Sequence, residues 1–339
     1  MADTFHARHF NSIQALRGIT ALLVTLEHVR FLSCGAFGVD IFFCISGFMA
    51  MFASHHTGRD FLKKRLIRIY PFYALMTIGT FFLLLLFPDL FHMTQADPVS
   101  LAKSLLFIPF EISEGVIQPL VRVGWTINYE MLFYLIFAIS MRLSHKYRGL
   151  ICSAFLGGLV LLTHVLPIDS TLLTFYGDYI QLEFILGIIA YYAVRRLYAV
   201  WEISSEAHIY ACCQLCGTLV LAMLLLLAIT KQQTPIAGMG RLLYWGIPAF
   251  IIVLLTFVTD LRVKTPGWLV SLGNMSFSIY LIHYYPLLFI DRKLFSLEHF
   301  SPMAVLITIL GLAMVVIVSY VAYQLIEKKF SGYLRRLIK

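Results

Sequence analysis

NSIQALRGITALLVTLEHVRFLSCGAFGVDIFFCISGFMAMF, residues Asn11–Phe52, holds two apolar runs joined by a short glycine-containing turn. Each run has the length needed to cross a bilayer's hydrocarbon core, about 20 residues. Each also carries side chains that hydrocarbon penalises: Arg17, Glu27 and His28 in the first, Asp40 in the second. An ionisable group inside a span is costly and marks a partner or a watered cavity. The hairpin is therefore expected to form half of a functional site, with the other half supplied by later spans.

Composition agrees with a life in lipid. Hydrophobic residues make up 60% of the 339 and charged residues 13%, against about 25% charged in soluble domains. Mean hydropathy is +0.84. About ten segments of spanning length follow one another, near 12–31, 36–54, 69–88, 123–141, 149–166, 177–194, 210–229, 242–259, 272–290 and 304–326. The fold expected is all-α and polytopic, a single domain over 1–339 with no internal repeat. The one long connection, 89–122, has a partly apolar piece (Leu101–Phe110) expected at the membrane interface. Pro235, Gly238, Gly240, Gly246 and Pro248 crowd the least certain boundary. The first run is expected to stay as a helix, because it contains Arg17 and no cleavage pattern follows.

The formal charge of +8 does not point to nucleic acid, because it is sorted by loop. With the N-terminus inside and the spans alternating, eighteen of the 26 Lys and Arg fall on inner segments and seven on outer ones, Lys231 and Arg241 among the latter. The positive-inside rule then places both termini in the cytoplasm. On that topology His28, Asp40, Glu130, Glu183 and His283, from five different spans, all lie in the outer half of the membrane. Arg17 lies eleven residues before His28, about 16 Å deeper and within about 20° of the same helix face. Tyr134 shares a face with Glu130, and Ser276 and Tyr280 share one with His283.

Each of these residues has a plainer reading. A lone intramembrane histidine is often a packing hydrogen-bonder, which describes His283 as well as a catalytic role does. Asp40 and Glu183 can pair with arginines or helix ends, Glu27 can cap the interface, and Trp125 and Tyr129 sit where an aromatic belt belongs. Cys212, Cys213 and Cys216 form a CCxxC with no accompanying His or second CxxC, so they are expected to pack rather than to bind metal. No metal site is expected. On the inner side, Arg65 and Arg68 of RDFLKKRLIRIYPFY serve orientation by default. Lying three apart at a helix start, they can also grip phosphate with paired guanidiniums.

Taken together, QALRGITALLVTLEH, GAFGVDIFFCISGFM, KKRLIRIYP, GWTINYEMLFY and LGNMSFSIYLIHYYP resemble, in order and over essentially the whole chain, the acyltransferase 3 family of membrane acyltransferases. The nearest subgroup is the succinoglycan-type exopolysaccharide O-acetyltransferases. The resemblance implies a ten-helix enzyme of the bacterial inner membrane that takes acetyl or another short acyl group from cytoplasmic acyl-CoA. The acceptor implied is a hydroxyl on a lipid-linked or extracytoplasmic glycan, with polysaccharide assembly proteins as further partners. The family's first-helix Arg and His fall on Arg17 and His28, its Arg-x-x-Arg on Arg65 and Arg68, and its WSxxxE-type glutamate on Glu130, with Thr126 and Asn128 replacing the usual residues. Its late motif falls on Ser276, Phe277, Tyr280, His283 and Pro286; Phe277 in place of tyrosine removes a hydroxyl. No C-terminal SGNH hydrolase-like domain is expected after the tenth helix.

The mechanism expected is direct transfer. Arg65, Arg68 and Arg17 bind acetyl-CoA, His28 is the general base, and Glu130 or Asp40 orients its ring. His283 and Tyr280 bind the acceptor or the developing oxyanion, with Ser276, Trp125 and Glu183 lining the acceptor's site. An acyl-His28 intermediate is equally compatible. The rival class is a proton-coupled transporter of a glycan or polar solute, since buried His and Glu also relay protons. A structural subunit of an assembly complex is the third.

Overall fold

The computed structural model describes residues 5–6, 8–91, 96–167, 170–201, 206–230, 237–260 and 263–337. Lys231 and Pro235, named above for orientation and at an uncertain boundary, lie outside them. The described chain is helical apart from connections and one two-stranded antiparallel hairpin, β1 (Glu111–Ser113) and β2 (Val116–Ile117). The long helices are α1 (Asn11–Glu27), α2 (Gly38–Thr57), α3 (Phe61–Leu86), with α4 (Pro98–Leu105) in the long connection, then α5 (Trp125–Leu143) and α6 (Arg148–Val165). After the short α7 (Thr171–Tyr176) come α8 (Leu182–Trp201), α9 (Glu206–Ile229) and α10 (Gly238–Thr259). Seven helices among the described residues are long and apolar enough to cross a membrane. This is an all-α, multi-pass membrane protein.

Two expected spans take a different form. The first is a helix of 17 residues that ends at Glu27, short of the expected Phe31. The ninth, expected as one rod over 272–290, is three short helices: α11 (Gly267–Asn274), α12 (Ser276–Ile282) and α13 (Tyr284–Phe289). Pro286 has no N–H to return to the carbonyl of Ile282, so one rung of the helical ladder is missing beside His283, which itself keeps helical φ and ψ. The last helix, α14 (Pro302–Ala322), runs through a wider π-helical stretch, Tyr323–Phe330.

Lipid offers no hydrophobic drive for one helix to prefer another, so close approach of small residues sets the packing. A Cβ added to Gly47 of α2 would lie 2.2 Å from the Phe184 carbonyl oxygen, and one on Gly187 of α8 would lie 2.1 Å from that of Cys44. A Cβ on Gly273 of α11 would come within 1.8 Å of the Gln14 oxygen of α1. Aromatic rings fill the remaining core: Phe48 stacks on Phe257 at 3.7 Å, and Phe184 lies between Phe43 and Phe133 at 4.5 and 4.4 Å. α2 is the central rod, with 67% of its spanning window buried, whereas that of α9 is 17% buried and faces outward. Cys213 is buried and donates to the Val258 carbonyl at 3.1 Å, consistent with cysteines that pack.

The long connection is anchored rather than free. Tyr73 of α3 donates to the Ser104 carbonyl at 3.1 Å, and the Ser104 hydroxyl accepts from the Leu120 N–H at 3.0 Å. Asp97 caps α4 by accepting from the Ser100 N–H and hydroxyl, at 2.8 and 2.9 Å. Those donors hold its carboxyl below the ordinary range.

Candidate active site

The turn between α1 and α2 places the first histidine. Glu27 accepts from the Gly35 and Ala36 N–H groups at 2.8 and 3.1 Å and so clamps the turn. Gly35 is pressed so close to α1 that a Cβ there would lie 1.8 Å from the Leu23 carbonyl oxygen. Glu27 is thus a structural clamp, and His28, the next residue, caps the C-terminus of α1. The ninth segment brings His283, fully buried, against it.

The two imidazoles touch. His283 Nε2 lies 3.2 Å from His28 Nδ1, with the rings edge to face at 4.8 Å. Each Nδ1 also faces a carbonyl of its own helix, His28 that of Val24 at 3.0 Å and His283 that of Ile279 at 3.2 Å. A carbonyl only accepts, which assigns the proton of each neutral ring to Nδ1. His28 Nδ1–H is then shared between Val24 and the lone pair on His283 Nε2, and His28 Nε2 keeps a lone pair of its own. Tyr284 stands edge-on to His28 at 5.6 Å, and Arg122 donates to its hydroxyl at 3.2 Å.

The expected carboxylate behind His28 is not there. Both oxygens of Asp40, a fully buried residue in the first turn of α2, accept from Arg241, at 3.1 and 2.8 Å. Arg241 in turn lies over Trp125 and Trp245, at 5.9 and 4.9 Å. Glu183 is buried beside Asp40. Asp40, Glu183 and Trp125 therefore belong to one cluster around Arg241, apart from the histidine pair. Glu130 accepts from Ser46 and Tyr134, each at 2.6 Å. An imidazole, His283, occupies the orienting position instead.

Below the histidines lies a cavity of about 130 Å³. It brings together Arg17, Arg65, Arg68, Glu130, Ser276 and Tyr280, six of the residues singled out from sequence. Arg65 enters it because it is held by the Met49 carbonyl at 3.2 Å and lies over the Tyr134 ring at 5.1 Å. Arg17 donates to Gln14 at 3.2 Å. Among the described residues none of these three arginines forms an ion pair. Tyr280 closes the far end: its hydroxyl donates to the Val123 carbonyl at 3.0 Å and lies 2.8 Å from the Thr126 hydroxyl. Its ring is 5.9 Å from that of His283, so one side chain separates the cavity from the histidine pair.

Four contributors escaped the sequence reading. Arg241 was counted only as a loop charge. Trp245 follows it in a stretch where glycine and proline obscure the helix. Ser46 looks like any small residue of a span. Glu327, hydrogen-bonded by Ser278, acts on Arg17 and Arg68 from the last helix. The only signal for it was one acid in the basic run IEKKF.

Comparison with known proteins places this geometry. The family profile described as an acyltransferase domain (Acyl_transf_3) matches residues 10–324. The exopolysaccharide production protein ExoZ of Rhizobium meliloti (strain 1021) is 36% identical over 163 residues, which cover 46% of this chain and 50% of that protein. The O-acetyltransferase OatA of Staphylococcus aureus (strain NCTC 8325 / PS 47) is 23% identical over 95% of this chain and 57% of its own length. A putative peptidoglycan O-acetyltransferase, YrhL of Bacillus subtilis (strain 168), is 26% identical over 83% of this chain and 49% of its own. The chain spans about half the length of the curated relatives it matches. No solved structure matches it. With a profile that runs from the start of α1 into the last helix, and with that profile's span containing the arginine cavity and the histidine pair, the chain belongs to the acyltransferase 3 family.

Proposed function

We propose that this chain is a membrane O-acyltransferase that moves an acetyl or other short acyl group from cytoplasmic acyl-CoA to a hydroxyl of a lipid-linked or extracytoplasmic glycan. Family membership and the names of the relatives, an exopolysaccharide production protein and O-acetyltransferases, support the class. The observation that carries the donor is the set of three arginines, none in an ion pair among the described residues, around one cavity whose far wall, Tyr280, adjoins two histidines. Guanidiniums grip phosphate oxygens with paired donors, so Arg65, Arg68 and Arg17 hold the phosphates of CoA. The pantetheine arm runs along α1 towards His28, about 16 Å away at 1.5 Å per residue.

In this reading ten crossings put both termini and the arginine end in the cytoplasm of a bacterial inner membrane. The histidine end faces outward and receives the acceptor. His28 Nε2 takes the proton of the acceptor hydroxyl as its oxygen attacks the thioester carbonyl. The C–S bond breaks, and the CoA thiolate leaves with the proton that His28 then returns. Charge on the His28 ring is met by the Val24 carbonyl and the His283 Nε2 lone pair, both acceptors to its Nδ1–H. Tyr280 must swing from Val123 to admit the acyl group, and its hydroxyl is then free to donate to the oxyanion. Glu130 keeps Ser46 and Tyr134 in place beside the arginines. The Asp40–Arg241 pair with Trp125 and Glu183 shapes the outer end where the sugar enters.

The test uses membrane vesicles containing wild-type or His28→Ala protein at matched amounts, supplied with radiolabelled acetyl-CoA and a lipid-linked glycan fraction. Label that enters glycan and depends on His28 is the expected result. No transfer by wild type across a broad set of glycans would overturn the reading. Equal transfer by His28→Ala would keep the enzyme and remove the base.

A further inference from the structure

A second histidine cluster lies at the arginine end of the molecule, outside the cavity. His6, before α1, is 4% exposed, and His55 and His56 are exposed in the last turn of α2. Neighbours on a helix point about 100° apart, yet the rings of both lie within 5.8 Å of that of His6. The His6 and His55 rings are stacked at 3.8 Å and 9°, and His56 stands edge-on to His6 at 5.8 Å. One ligand nitrogen from each of the three falls within 4.8 Å of the others. The Nδ1 of His6 is buried with no hydrogen-bond partner, an expensive state for a polar atom.

We propose that His6, His55 and His56 bind one divalent transition-metal ion of the zinc class, tying the N-terminal segment to the end of α2. Imidazole is a preferred ligand for zinc, copper and nickel, and three histidines leave one position open for water. At a metal–nitrogen distance of about 2.0–2.1 Å, tetrahedral ligands sit about 3.3 Å apart, so the rings need to close by roughly an ångström and a half. His55 and His56 can do so because they are at a helix end, where the chain leaves through Gly58 at φ +50°. Metal ligation requires neutral imidazole. Arg195 and Arg148 oppose a cation, which lowers the affinity without changing the donor set.

A tie here has structural sense. The adjacent Phe5 packs edge-to-face against Phe52 at 5.7 Å, Tyr191 at 6.0 Å and Tyr198 at 5.4 Å. A metal would lock that plug onto α2 and α8, just before the chain turns into the helix that carries Arg65 and Arg68. The cysteine spacing that drew attention in the sequence is not involved; the ligands are one histidine before α1 and two adjacent ones at the end of α2.

The experiment titrates the detergent-purified, chelator-stripped full chain with Co²⁺, read by its visible absorption, and with Zn²⁺, read by calorimetry. One ion per chain is expected. Outer-sphere changes at metal sites already cost about 10–100-fold in affinity, so His6→Gln, His55→Gln and His56→Gln should each weaken binding at least tenfold, and His299→Gln should not. His6→Cys separates ligation from folding: it keeps a donor, and a thiolate-to-cobalt band should appear. No stoichiometric binding, binding unchanged in His6→Gln, or binding lost in Cys212→Ser, Cys213→Ser or Cys216→Ser in place of the histidine variants would overturn the site.

Discussion

At the residue scale, the proposed chemistry rests on one nitrogen, His28 Nε2, left free because both Nδ1 positions are committed to carbonyls. Removing a general base costs about 10²–10⁴ in rate, so His28→Ala should lose at least a hundredfold in acetyl transfer at unchanged membrane insertion. Activity should fall in acid with a single ionisation, because protonation of Nε2 removes the base; transfer assayed from pH 5 upward checks the sign. His283→Gln should cost less, since an amide oxygen also accepts from Nδ1–H, while His283→Leu should approach the loss of His28→Ala. At the other end of the path, a hydrogen bond to a charged group is worth about 1.5–3 kcal/mol. Arg68→Ala should accordingly raise the KM for acetyl-CoA by about 10–100-fold with little change in kcat, as read from initial rates in vesicles.

At the element scale, two helix contacts, α1 with α11 and α2 with α8, hold these residues together, and each rests on glycine. The approach of α11 to Gln14 at Gly273 sets where Ser276, Tyr280 and His283 stand relative to Arg17 and His28. Overpacking costs typically 1–3 kcal/mol, and here the obstacle is backbone that cannot rotate away. Gly273→Val should therefore lower the thermal midpoint in detergent and abolish transfer. Gly267→Ala, six residues earlier with open space around its Cβ position, should leave both near wild type. Pro286 has a smaller role: it removes one backbone hydrogen bond, while His283 keeps helical φ and ψ (−52° and −34°) and its N–H still donates to the Ile279 carbonyl at 3.0 Å. Pro286→Ala should therefore leave His283 against His28 and keep kcat near wild type, as read from initial rates in vesicles.

At the scale of the whole molecule, the two ends differ in charge and in chemistry. The arginines and the second histidine cluster are at one end, and the His28–His283 pair and the Arg241 cluster at the other. Which end faces the cytoplasm follows from loop charge. It is checked on a background with the native cysteines replaced. Glu114→Cys in the hairpin should react with an impermeant thiol reagent from outside, and Lys146→Cys only after permeabilisation. The reverse pattern would turn the arginine cavity away from cytoplasmic acyl-CoA and defeat the proposed donor.

A chain of apolar helices is legible in the sequence alone, and so are Arg17, Arg65, Arg68, Glu130, Ser276 and Tyr280, which the fold gathers around one cavity. They are legible because a polar side chain in an apolar run is visible against its own neighbours and helix periodicity assigns it a face. The sequence also marked His28 and His283 one at a time. Their partners come from packing. That Asp40 is spent on Arg241, that Glu130 holds Ser46, and that a histidine stands behind His28 depends on which helices touch. Where helices meet on glycines, as α1 does with α11 and α2 with α8, the close approach leaves no periodic trace. The meeting of His6 with His55 and His56 is of the same kind, since it joins the chain's start to the end of another helix by packing alone.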